Sequence, residues 1–121
     1  MDASAGLQLL EHARDLVEIG WCRGADARNG SGAAVDPWFH GAASWSLLGA
    51  IVAVLEREAT LHGEVPLEEL ARALYMLADV VDTDSLASWN DASGRSQADV
   101  VAALTGAIGL YTITYSPAHA S

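Results

Sequence analysis

Between residues 89 and 96 the chain reads Trp-Asn-Asp-Ala-Ser-Gly-Arg-Ser, which sets an indole, a carboxamide, a carboxylate and a guanidinium close together. Asn90 and Asp91 supply hydrogen-bond donors and acceptors, and Arg95 a planar fork suited to a carboxylate or phosphate. The run Ser96-Gln97-Ala98-Asp99 has the spacing of a capping box, so a helix is expected to begin after Ser96. Its partial positive end would face the same place and, with Arg95, favour an anionic group on a ligand. Asp91 is the candidate general base, provided that Trp89 and Trp45 desolvate it. The competing reading is structural: Asn-Asp turns bond their own backbone, and Asp91 would then simply pair with Arg95.

The remaining reactive groups are sparser. Trp21, Trp38, Trp45 and Trp89 are many indoles for one small domain, and three of them border irregular segments, where they either line a pocket or close a bundle end. Trp45, flanked by Ser44 and Ser46 in an apolar run, is the best candidate for a pocket wall. His40 is the one histidine considered for proton transfer, against the plainer reading of a solvated side chain. Cys22 follows Trp21 and precedes Arg23, the single nearby cation, which is thin support for an activated thiol. The four histidines and the lone cysteine have no zinc spacing. Asp82 and Asp84 open like a calcium loop but lack its glycine and terminal glutamate. No metal or cofactor is therefore expected.

Helices must position these groups. Leu9, Leu10, Ala13, Leu16 and Val17 make one buried stripe, predicting a helix from Ser4 to about Ile19. Residues 21–35 are rich in Gly, Asn, Asp and Ser and read as a loop. Asp36-Pro37 is read as the start of a second helix, running to His62 and stopping at Gly63. Its run Ala42–Leu55 is apolar on nearly every side, as in a buried central helix, and Gly49 within it calls for a close backbone approach by another helix or a ligand. Pro66 opens a third helix to Val81, with Leu67, Leu70, Leu74 and Leu77 in register. A short turn leads through 86–88 into Trp89. The last long helix presents Val100, Leu104, Ala107 and Tyr111. The segment 112–117 alternates like a strand without a partner. The expected fold is all-α: a small bundle of about four principal helices with two irregular functional loops. It forms a single helical domain over 1–111 and a C-terminal tail over 112–121.

Bulk composition narrows the function. The 121 residues carry 16 acidic and 6 basic side chains, with no lysine, for a net charge of −10. Such a surface repels a phosphate backbone, so nucleic acid is not an expected partner. The most apolar run is too short for a bilayer of about 30 Å, and the N-terminus lacks the basic cluster of a signal peptide, so no membrane is expected and the cytoplasm is the expected compartment.

Three motifs occur in order: Gly20-Trp21-Cys22-Arg23-Gly24-Ala25, Trp45-Ser46-Leu47-Leu48-Gly49-Ala50, and Trp89-Asn90-Asp91 through Gly94-Arg95-Ser96. Together they resemble a family of small proteins of unknown function from actinobacteria and their phages. The family pattern has a cysteine where this chain has Ser46, which argues against a two-thiol metal or redox pair with Cys22. The resemblance implies a site location and no reaction. The leading expectation is an aromatic-lined polar pocket for a small molecule with an anionic or carbonyl group. A cofactor-independent acid–base reaction (cyclisation, isomerisation or hydrolysis) is an extension of it. There Asp91 or His40 moves the proton, Arg95 and Asn90 hold the substrate, with Arg23 and Ser46 nearby, and Trp21, Trp45 and Trp89 exclude water. The alternative is a protein-interaction or regulatory module without catalysis, meeting another protein or its own copy as a homodimer.

Overall fold

A computed structural model describes residues 4–64 and 66–115. The first helical stripe forms as its spacing predicts: α1 spans Ser4–Ile19 and buries Leu9, Leu10, Ala13 and Val17. The next two segments do not follow the sequence reading. Residues 21–35 hold two short strands, β1 (Ala27–Asn29) and β2 (Ala34–Val35), joined by a turn in which Asn29 Oδ1 accepts from the Ser31 and Ala33 N–H groups at 3.0 Å each. Asp36-Pro37 opens a turn rather than a helix, and β3 (Ala42–Trp45) follows it.

The three strands form an antiparallel sheet in the order β2-β1-β3, with Ala27 opposite Val35 on one side and Trp45 on the other. Among the described residues the all-α bundle is therefore corrected to a mixed α/β fold of five helices and a three-stranded sheet. Main-chain pairing with distant residues decides the matter. Short apolar runs fit strand and helix alike until their partners are known.

Helix α2 accordingly starts later, at Leu47, and runs to His62. Ser46 caps it, its hydroxyl accepting from Gly49 N–H at 2.9 Å. Gly63 closes it in the left-handed region (φ 74°), where a side chain would be strained, as the sequence suggests. Helix α3 (Leu67–Val81) forms over the expected range, but its buried line is Glu69, Ala73 and Leu77, with Leu70 and Leu74 half-buried and Leu67 exposed. The stretch read as a loop around Trp89 is instead a six-residue helix, α4 (Leu86–Asp91), capped by Ser85. The capping box then forms as read: Ser96 N–H donates to the Asp99 carboxylate (3.0 Å) and Asp99 N–H to Ser96 Oγ (3.2 Å). Helix α5 (Gln97–Tyr115) follows. Residues 112–115, read as strand-like, continue α5, because the buried Tyr111 anchors that turn and Tyr115 stacks on it at 4.9 Å. Residues 116–121 of the expected tail lie outside the described residues.

The core is shared by α1, α2, α3 and α5, with Ala27 and Trp45 contributed by the sheet. Gln97 joins the two ends of the chain by donating to Val17 O at 2.7 Å, which satisfies a carbonyl in the last turn of α1. The close approach expected at Gly49 exists, but its partner is a loop backbone. A Cβ there would collide with the Asp26 carbonyl, which already accepts from Ser46 N–H at 3.0 Å. Gly49→Ala must push the sheet away from α2 and is expected to cost about 2–3 kcal/mol, lowering the melting midpoint by roughly 6–15 °C. A calorimetric midpoint within a degree or two of the parent would contradict this contact.

Candidate functional site

Asn90 sits in the last turn of α4, only 1% exposed, with its carboxamide fully used. Its Oδ1 accepts from Trp21 Nε1 (2.8 Å) and from Leu47 N–H (3.0 Å), the first amide of α2. Its Nδ2 donates to Cys22 O (3.2 Å) and to Asp91 Oδ1 (3.0 Å). One side chain thus ties α4, the segment after α1 and the start of α2. Asp91 extends the tie by accepting from Gly24 N–H at 3.0 Å, and Arg23 returns it by donating to Ala92 O at 2.9 Å. The bonds from Gly24 N–H and from Asn90 Nδ2 hold the Asp91 carboxyl below its ordinary value of 3.8, the Gly24 amide contributing most. Burial acts in the opposite direction on Cys22, raising its thiol pKa above the ordinary 9.0. A thiol so placed is poorly ionised at neutral pH and a weak nucleophile.

Arg95 pairs not with Asp91 but with Trp89 and Asp99. Its guanidinium lies 3.9 Å from the Trp89 ring centroid, its Nε donates to Trp89 O at 2.8 Å, and Nη1 stands 4.0 Å from Asp99. The fork suited to an anion is largely spent on its own chain.

The sequence-predicted residues therefore divide among three places. Trp21 and Arg23 belong to the tie around Asn90, and Trp89 and Arg95 stack on each other next to it in sequence. Ser46, Asn90 and Asp91 line a small polar pocket of about 200 Å³ with Gly24, Asp26 and Leu48. Trp45 belongs to a separate, larger cleft. His40 is exposed in the turn before β3, stacked on Phe39 at 4.7 Å, and lines neither space.

That larger cleft, of about 470 Å³, lies on the far side of Trp45. Trp45 Nε1 donates to Pro37 O at 3.0 Å and so pins the 37–39 turn against the sheet. Trp38 and Phe39, 53% and 42% exposed, form one wall, and the α2 face bearing Ala53, Arg57 and Leu61 forms the other. Leu16 of α1 and Val54 complete the lining, with Glu56 and Thr60 beside them. Among the described residues Arg57 makes no hydrogen bond or ion pair, whereas the other five arginines each bond within the chain. Phe39, Arg57 and Leu61 were not singled out by sequence. The signal was present in the adjacent aromatics 38–39 and in the i, i+4, i+8 ridge of 53, 57 and 61.

Residues 1–110 match the profile described as "Family of unknown function (DUF6197)". The chain belongs to this family. No curated protein and no solved structure matches it. For this DUF6197 protein the three sequence motifs meet at Asn90, since Trp21, Cys22 and Leu47 are its hydrogen-bond partners.

Two outcomes follow from that junction. Asn90→Ala leaves Leu47 N–H and Cys22 O without partners in a closed site, which should cost about 3 kcal/mol or more, a fall of roughly 10–15 °C in midpoint by circular dichroism. Folding lowers the Asp91 pKa, so its contribution is in place above the unfolded value and is lost as pH falls through the folded one. The midpoint deficit of Asp91→Asn should accordingly be present at neutral pH and narrow below the ordinary carboxylate range. A deficit that stays constant into acid would mean that the charge on Asp91 contributes nothing.

Proposed function

We propose that this protein is a ligand-binding domain whose site is the cleft between the Trp38–Phe39 turn and α2. Its ligand is a small molecule with an apolar body and an anionic or carbonyl head. The observation that carries this reading is Arg57, an uncommitted guanidinium on an apolar, aromatic-walled cleft in a chain of net charge −10. Sixteen acidic groups compete for six arginines here, so an arginine left unpaired beside apolar surface is set toward a group from outside. The cleft volume falls within the ordinary range for small-molecule sites, and its mix of aromatic lining with few polar groups suits one.

Binding fits better than catalysis. Asp91 is held in its ionised form by two hydrogen bonds and is a poor proton acceptor, and His40 stands apart from both Asp91 and Arg57. A second reading shares the same surface. Leu61, 65% exposed, and Trp38 stand open on the rim, an arrangement that also accepts an apolar anchor residue of a partner protein.

Calorimetric titration with decanoate and with decanol tests the first reading. Decanoate should bind, and Arg57→Ala should weaken it about three- to tenfold while leaving decanol unchanged. Leu61→Asp should weaken both. Equal affinity of parent and Arg57→Ala for decanoate removes the anionic head from the proposal. Absence of binding by either amphiphile favours the partner-protein reading.

A further inference from the structure

Among the described residues the outer face of α5 is another large uncovered apolar surface. The helix has a mean hydropathy of 1.3 over its 18-residue window, long and apolar enough to cross a membrane by composition, yet only 28% of that window is buried. From Val100 to Tyr115 it carries no Asp, Glu, Lys, Arg or His. Val100, Leu104, Ala107 and Tyr111 point into the core, so Ala102, Gly106, Gly109 and Ile113 form the opposite, outward stripe. A side chain added at Gly109 would meet nothing within 4 Å. Beside this stripe α3 adds Tyr75, 80% exposed, and the half-exposed Val80, and a shallow groove between the helices is lined by Arg72, Met76, Asp79 and Leu110.

We infer that this face binds a second copy of the chain, as a two-fold dimer with antiparallel α5 helices crossing near Gly109. The argument is electrostatic. Two chains of charge −10 repel wherever carboxylates face each other, and α5 offers sixteen consecutive residues without one. The α3 edge is also self-complementary. Arg72, which pairs with Glu68 of its own helix at 3.3 Å and lies 5.2 Å from the Tyr115 ring centroid with further guanidinium donors to offer, stands two helical turns from Asp79 on one face, with Tyr75 and Met76 between them. Leu110 lies across the groove from that midpoint, next to Gly109. A two-fold axis there sets Arg72 of each copy against Asp79 of the other, because an isologous contact from i to j is repeated from j to i. Glycines at 106 and 109 let the two helix backbones approach closely. Val80 Cγ1, 3.1 Å from where a Gly106 Cβ would stand, closes that hollow on the α3 side.

Sedimentation equilibrium on the full chain over a wide concentration range tests the inference. The parent should be a dimer. Gly109→Glu places a carboxylate at the centre of the contact and should yield a monomer at every concentration. Its melting midpoint should be no lower when measured at low concentration, since glutamate is a better helix former than glycine in an exposed helix interior. Arg72→Glu should raise the dissociation constant about tenfold, and adding Asp79→Arg to the same chain should restore it to within about threefold, because the swapped charges meet again across the axis. A parent that is monomeric throughout overturns the inference. So does a monomer that pelts down with phosphatidylcholine vesicles, which would make lipid the occupant of this face. A dimer untouched by Gly109→Glu and by the charge swap overturns it equally, since the contact then lies elsewhere.

Discussion

A buried carboxamide must find partners for two donors and an acceptor or forfeit the free energy of leaving water. At Asn90 that requirement selects one arrangement of three distant segments. Its oxygen faces the Trp21 indole and the first amide of α2, while its nitrogen faces the Cys22 carbonyl and the Asp91 carboxylate. With Leu47 N–H held there and Ser46 N–H on Asp26 O, the start of α2 is fixed against the segment that leads into β1. Trp45 in turn carries the 37–39 turn. The geometry of the apolar cleft thus descends, through two hydrogen-bonded links, from one side chain that does not touch it.

Arginine use shows the same economy. Arg23 and Arg95 both fasten the C-terminal end of α4, at Ala92 O and Trp89 O, Arg28 braces the strand turn by bonding Gly32 O, and Arg14 reaches Thr105 across the helices. Structural roles thus absorb most of the positive charge of an acidic chain. What is left outward is Arg57, next to apolar surface. The two uncovered apolar regions differ in kind: the cleft is concave, aromatic and carries a cation, whereas the α5 face is smooth, small-residued and uncharged. A small ligand suits the first and a broad protein surface the second.

The long helices were legible because their burial is periodic. Leu9, Leu10, Ala13 and Val17 declare α1, Leu70, Leu74 and Leu77 mark α3 although the fully buried Glu69 and Ala73 lie beside that stripe, and Ser96 with Asp99 marks the start of α5. The sheet was not legible. Ala-Arg-Asn, Ala-Val and Ala-Ala-Ser-Trp are too short and too poor in β-branched residues to alternate visibly, and their pairing is imposed by residues far along the chain. Asp36-Pro37 suits a turn as well as a first helical turn, and the pairing of β3 with β1, together with the Trp45 bond to Pro37 O, selects the turn. The motif around Trp89 is dense in polar chemistry, and its Asn90 is the side chain on which three segments converge. That its asparagine is interior could not be read, since asparagine is mostly a surface residue and six helical residues are too few to show a stripe.

The bonds from Asn90 to Trp21 and Cys22 span 69 and 68 residues of sequence. During synthesis the N-terminal helix and the strands emerge well before their fastener. Until α4 leaves the ribosome, Leu47 N–H and Cys22 O lack their native partner, and β3 is held by its local main-chain bonds to Gly20, Cys22 and β1 without the lock at Asn90. The order of translation therefore makes the last third of the chain the step that commits the first two thirds, and a nascent chain halted short of residue 90 has its helices without their lock.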